Sequence, residues 1–193
     1  VYQVEELSFG GQEYQSFSLL KGKDRLYAYS YNYGGGETNL PWIDFFCINE
    51  DGTVKEKNKM MMDENSNLNS LCPDGNGNVY AIKNIYATEP NEDGMYQDEF
   101  YLVKLTEKGD ELYSINLTGM RELQELNEDY FYTNGLVAID NNVYISAVDK
   151  CIKFDEQGNF VKILEAAEGG SFDGATLYPL ADGKVAAITY EED

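Results

Sequence analysis

The sequence predicts an all-β fold, on three observations. Apolar and polar residues alternate with a period close to two along almost the whole chain. Tyr (16) and Phe (9) are abundant, and both suit the pleated surface of a sheet. One strand–turn–strand pattern also recurs. With 193 residues, 42% of them hydrophobic, the chain is long enough for one good-sized core in a single region covering 1–193.

The repeat gives the elements in order. The first unit, about 10–62, has "SFSLL" as a short inner strand, then "DRLYAY" from Asp24, then "FFCINEDGTV" from Phe45. The second, about 63–118, repeats this as "LNSL", "GNVYAI" from Gly77 and "LVKLTEKGDEL" from Leu102. The third, about 130–166, is the cleanest: "GLVAID", "NNVYISA", "KCIKFD", the turn "EQG" and "NFVKILE". The fourth, about 172–193, reaches "GKVAAI" from Gly183, its second strand. In each complete unit an apolar strand meets a polar turn with Gly, and another strand begins, as in a tight hairpin. Tyr27, Tyr80, Tyr144 and Ala186 recur at roughly 40–65 residues, near the length of a four-stranded propeller blade with insertions. The fold expected is a β-propeller of about four blades of four-stranded antiparallel sheets, the last incomplete, forming an open arc of a larger propeller. The alternating "VYQVEEL" in 1–9 is expected to be a strand completing a last blade. The start at Val1, without a signal-like region, reads as a trimmed mature chain or a fragment.

The pieces "GLVAID", "NNVYISA" and "IKFDEQGNFV" resemble the NHL repeat and its relatives among six-bladed β-propellers. The stretches "LNSLCPDGNGNVYAI" and "FYLVKLTEKGDELYSI" look like the propeller region of clostridial surface lipoproteins. In those proteins such a region is often joined to an extracellular solute-binding domain. The resemblance implies an extracellular bacterial binding module, joined to the rest of a longer chain.

"LCPDGNGNVYAIKN", from Leu71 to Asn84, invites three readings: phosphate cradle, calcium loop or turn. A dinucleotide fingerprint needs a third Gly and a following helix, and a P-loop needs Gly-Lys-Ser/Thr. Neither is present, and "DGNGN" stands where the other units have "GKDR", "DNN" and "DGK". It is expected to be a hairpin turn in which Gly75 and Gly77 adopt positive φ. "EPNEDG" from Glu89 to Gly94 has calcium-like alternation, but the twelfth position of an EF-hand loop falls on Phe100 rather than Glu. A solvated acidic loop is the simpler reading, and a weak cation site the alternative.

Charge and composition narrow the function. Fourteen basic against 35 acidic residues give a net charge of −21, which repels phosphate backbones and anionic membranes. Nucleic-acid binding is not expected, nor direct membrane insertion, since no segment is apolar for long enough. Neutral ligands such as sugars remain. There is no His, so His-based triads are excluded, and so are Cys/His zinc sites. Cys47, Cys72 and Cys151 are widely spaced and read as buried free thiols. No cofactor and no metal is expected, and no acid pair stands out as catalytic. Asp140 and Asp182 fit turn chemistry. The Met60–Met62 run reads as closing one blade on the next.

The long loops are expected on one face: "NYGGGETNLPW" from Asn32, "NIYATEPNEDGMYQD" from Asn84 and "TGMRELQELNEDYFYTN" from Thr118. The last has about two helical turns over Met120–Leu126. Such one-sided elaboration marks a working face. The candidate ligand-binding residues are Trp42, Tyr86, Tyr96, Tyr130 and Tyr132, whose rings stack on sugars or anchor a partner domain. The plain alternative is that they cover blade edges. The function expected is non-catalytic capture of a glycan or solute, or of a partner protein domain. The competing readings are a propeller hydrolase or lyase acting on glycans, and a structural spacer.

Overall fold

The computed structural model describes residues 18–22, 25–33, 40–126, 131–166, 168, 170–180 and 183–189. The expected 1–9 strand, Tyr130, Asp182 and the glycines of the first long loop lie outside them. The first sheet holds β1 (Ser18–Lys21), β2 (Leu26–Asn32), β3 (Trp42–Ile48) and β4 (Val54–Met61). The second holds β5 (Ser66–Pro73), β6 (Asn78–Ile85), β7 (Glu99–Thr106) and β8 (Glu111–Asn116). The third holds β9 (Thr133–Ile139), β10 (Asn142–Ala147), β11 (Lys150–Asp155) and β12 (Phe160–Leu164). The fourth pairs β13 (Thr176–Pro179) with β14 (Val185–Ile188). Every pairing is antiparallel between chain neighbours.

The first strands of successive sheets are neighbours: β1 lies by β5, β5 by β9 and β9 by β13. Among the described residues the sheets therefore radiate from one line of inner strands, as an open propeller-like arc. Among the described residues no helix is long and apolar enough to cross a membrane.

The cores lie between sheets, which explains the near-continuous apolar strands. In β3 both faces are covered: Ile43, Phe45 and Cys47 point to the second sheet, while Asp44 and Phe46 are buried on the other side. Tyr27, Phe45 and Met60 pack with Leu68, Val79 and Val103. Ile82, Leu102 and Leu117 pack with Val143, Ile152 and Phe154. A smaller core joins Val137 and Cys151 to Leu177 and half-buried Val185. Met60 and Met62 are buried in the first of these cores, while Met61 points away and is 48% exposed. The outer strand β4 is mostly exposed and reads "VKEKNKMM"; lysines on an edge discourage further pairing.

One turn builds much of the fold. At Asn49–Thr53, Thr106–Asp110 and Asp155–Asn159 the first residue's N–H donates to the carbonyl of the fifth, and the fourth, Gly, donates back to the carbonyl of the first. The Gly has φ of 83°, 92° and 85° respectively. This is a type I turn ending in a left-handed Gly bulge, a three-residue hairpin connection. In two of them the first side chain completes the turn: Thr106 Oγ1 accepts from the N–H of Lys108 and Asp110, and Asp155 Oδ1 from Gln157 and Asn159. "DGNGN" is likewise a hairpin. Asp74 Oδ1 accepts from the N–H of Asn76 and Asn78, and Gly75 and Gly77 have positive φ. Asp140 and Asn141, at φ 47° and 60°, form the two-residue turn between β9 and β10.

All three cysteines are free. Burial pushes the Cys72 and Cys151 thiols up to about 11, so both stay protonated at neutral pH. Cys72 Sγ accepts the Ala138 N–H, tying the second sheet to the third.

Candidate functional site

Antiparallel order sorts the connections onto two faces. The links between second and third strands, and between sheets, emerge on one face; the remaining hairpins emerge on the other. On the second face the connections are the compact turns described above. The first face carries Tyr33 at the end of β2, the 86–98 loop and the described part of the connection from β8 to β9.

The tyrosines of β2 set up this face. "YAYSYNY" places Tyr27, Tyr29, Tyr31 and Tyr33 at alternate positions, so those within the strand share one side. Tyr31 pairs with Ile43, whose side chain faces the second sheet. Tyr29 and Tyr31 meet edge to face, with ring centroids 5.5 Å apart. The Tyr31 hydroxyl donates to the Leu68 carbonyl oxygen of β5. Burial raises the Tyr31 phenol pKa, and Tyr29, Tyr33 and Tyr86 raise it further. Four tyrosines from two sheets thus gather at one mouth. Two of them are open to solvent: Tyr33 is 83% exposed and Tyr86 45%.

Tyr96 and Met95 stand at the tip of the neighbouring loop, 67% and 65% exposed. The tip is rigidly made. Asn91 N–H donates to the Met95 carbonyl, Gly94 N–H to that of Asn91, and Asn91 Oδ1 accepts from the N–H of Asp93 and Met95. This is the hairpin turn again, here at the end of a loop. Asp98 Oδ1 ties its base by accepting the Ala87 N–H. The calcium-like alternation of "EPNEDG" is thus turn chemistry, with the Asn91 oxygen engaged by backbone.

Trp42 and Tyr86 are not brought onto one surface. Trp42 alternates with Ile43, so it shares the far side of the first sheet with Asp44 and Phe46. It is half-buried, and Lys59 Nζ sits 4.0 Å from its ring centroid. Tyr132 lies before β9, and its hydroxyl donates to Asp173 Oδ1 between the third and fourth sheets. That bond raises its pKa, with burial adding to it. The helix expected nearby is a 3₁₀ helix over Arg121–Leu126, pinned by fully buried Leu117 and Leu123. Tyr29, Tyr31 and Tyr33 were not among the sequence candidates, although their alternate spacing is a legible signal.

The opposite face has a shallow cleft of about 310 Å³ lined by Arg25, Tyr27, Gly75, Asn76 and Gly77. Two of its polar side chains are already matched. The Tyr27 hydroxyl donates to Glu107 Oε1 at 2.8 Å, and Arg25 Nη1 lies 3.9 Å from the same oxygen. Asp44, the buried acid of β3, is held by Lys57 at 3.4 Å and by the Asn32 amide at 3.3 Å.

No protein-family model and no curated protein matches the chain. Among solved structures it is similar to the crystal structure of a protein of unknown function from Bacteroides caccae, with 10% sequence identity and a TM-score of 0.41. That similarity covers 88% of this chain and 63% of the other, so the chain spans less than two thirds of that protein's length.

Proposed function

We propose that the chain is a non-catalytic binding module of an extracellular bacterial protein, and that it captures neutral glycans through the tyrosine mouth between the first and second sheets. One observation carries this reading: Tyr33, Tyr86, Met95 and Tyr96 are each exposed on second-to-third-strand connections, which emerge on one face, with half-buried Tyr29 and Tyr31 beneath Tyr33 and a rigid turn under Tyr96. Sugar rings stack on aromatic faces through their C–H bonds, while Tyr hydroxyls hydrogen-bond to ring substituents. Holding the rings in place before binding lowers the entropy lost on association. The charge of −21 disfavours uronic or sulfated glycans and leaves neutral ones. The sequence resemblance to NHL-type propellers and to clostridial surface lipoproteins supports this role, with a solute-binding domain as the neighbour it suggests. Trp42, under Lys59 on the other side of the sheet, contributes at most a secondary contact.

The test is a glycan array followed by titration calorimetry on the best neutral oligosaccharide. Tyr86→Ala and Tyr96→Ala should each weaken binding about tenfold or more. Trp42→Ala should weaken it less. Hydrolysis or elimination of the bound sugar, abolished by one acid-to-amide change, would favour the enzymatic reading instead.

A further inference from the structure

Hydroxyl latches join neighbouring sheets on the face of the compact turns. The Tyr27 hydroxyl donates to Glu107 in the outer turn of the second sheet, and the Tyr80 hydroxyl to the Glu156 carbonyl in that of the third. At the opposite end of the interface between the second and third sheets, polar groups are left unmatched. Tyr80, Ile82 and Asn84 alternate along β6, so Asn84 faces the third sheet, at the end where the 86–98 loop begins. It is 7% exposed, and its Oδ1 has no hydrogen-bond partner among the described residues. Asn67, opposite it on β5, does not supply one: its Nδ2 donates to Asn69 Oδ1 at 3.3 Å.

The facing wall has the complementary defect. β9 carries one extra residue opposite the step from Ser146 to Ala147, and that residue is Asn134. Such a bulge re-aims a side chain. Gly135 packs against Leu177 of the fourth sheet, and Leu136 packs in the core with Ile82 and Leu102, so alternation turns Asn134 toward the second sheet. Its Nδ2 is buried and likewise has no partner among the described residues. β6 and β9 are in contact, and Phe100, opposite Asn84 on β7, meets Phe131 edge to face with ring centroids 5.3 Å apart. Both walls are four-stranded sheets whose strands are all described, so these are not the missing partners of an unfinished sheet.

An unmet acceptor across from an unmet donor selects the chemistry of a ligand. A carboxylate satisfies only Asn134 and an ammonium only Asn84, whereas a hydroxyl donates to one and accepts from the other. We propose that Asn84 and Asn134 form a second sugar subsite, in which one hydroxyl of a neutral glycan donates to Asn84 Oδ1 and accepts from Asn134 Nδ2, with the sugar ring against Phe100 and Phe131. Both amide atoms are enclosed, so the two side chains rotate toward the face to admit the hydroxyl. The glycan as ligand rests on the reading of this face given above; the donor–acceptor pair does not. Leaving both atoms unmet costs the free chain stability, and the bound hydroxyl removes that cost.

The test titrates the intact chain with a panel of neutral monosaccharides and with the best oligosaccharide from the array. Calorimetry reads affinity, and NMR reads the side-chain amide signals of Asn84 and Asn134. Both signals should shift on binding. Asn84→Leu and Asn134→Leu should each weaken binding about three- to tenfold. The Tm of the free variants should hold or rise, because each loses an unmet buried polar atom. A lower Tm with affinity intact would show a purely structural role and overturn the proposal. Amide signals unmoved by every sugar would also overturn it, leaving a buried water as the bridge. The two sites fail separately. Affinity lost in the Tyr86→Ala/Tyr96→Ala variant but unchanged in both Asn variants would overturn this subsite alone. Shifted amide signals with affinity unchanged in the Tyr variant would support it and overturn the tyrosine mouth.

Discussion

Thr106–Asp110, Asp155–Asn159 and Asn91–Met95 are the same turn in different company. Each has its first side chain bonded to two backbone N–H groups and a left-handed Gly in fourth place. At Gly158 a Cβ would overlap Ile115 Cδ1 and reach 3.0 Å from the Tyr113 ring; at Gly94 it would meet nothing within 4 Å. Local chemistry fixes the turn, and the neighbouring sheet decides its use. Between sheets it becomes half of a latch. At the end of a long loop it becomes a rigid mount for exposed Met95 and Tyr96.

The sharpest way to break this comparison is to add one methyl group to each turn. Gly158→Ala meets the unfavourable φ, displaces the tip of Ile115 and presses on the Tyr113 ring, and should cost about 2 kcal/mol in urea unfolding. Gly94→Ala meets only the φ penalty and should cost about 1 kcal/mol. Equal losses would show that the two turns are equally constrained.

Next in size is the alkaline limb of stability. Burial raises the phenol pKa of Tyr27, Tyr31, Tyr80 and Tyr113, with Glu107 adding to it at Tyr27. A raised folded value means that the stabilisation is complete below the ordinary tyrosine pKa of about 10 and is lost as pH rises toward the folded values. Tm should therefore fall steeply above about pH 10. Tyrosine absorbance should show a late-titrating group from these buried rings. A single transition near 10 would contradict the burial of these rings.

A single latch bond is smaller. Tyr27→Phe should cost about 1 kcal/mol, since it removes one hydrogen bond and leaves Glu107 near Arg25. At acid pH the Asp155 carboxylate, held below its ordinary value by Asn159 and then by backbone N–H groups, stabilises the folded chain. That stabilisation is present above the ordinary carboxylate value of about 3.9 and is lost as pH falls through the lowered one. Asp155→Ala should flatten that limb. Smallest of all, Tyr96→Ala should change stability by less than about 0.5 kcal/mol, because the ring touches solvent.

Much of this fold was legible because its signals are local. The hairpin of "DGNGN" needed only its Gly and Asn residues, and the helical turns expected over Met120–Leu126 are a 3₁₀ helix at Arg121–Leu126. The mouth was less legible. The alternation of Tyr27, Tyr29, Tyr31 and Tyr33 says that they share a side, but only the pairing of Tyr31 with Ile43 and its bond to Leu68 say which sheet they face. Trp42 shows the same limit: a position one residue from Ile43 puts it on the other side of the sheet, and nothing near it in sequence reports that. The latches were hidden because they join residues 80 and 76 apart in the chain.

The most direct test of the central claim compares the intact chain with a Tyr86→Ala/Tyr96→Ala double variant on one array of neutral glycans, after matching melting curves show that both are folded. The expected result is a defined set of glycans bound by the parent chain and lost from the variant. Identical binding by both, or no neutral glycan bound by the parent, would contradict the assignment of this face to glycan capture.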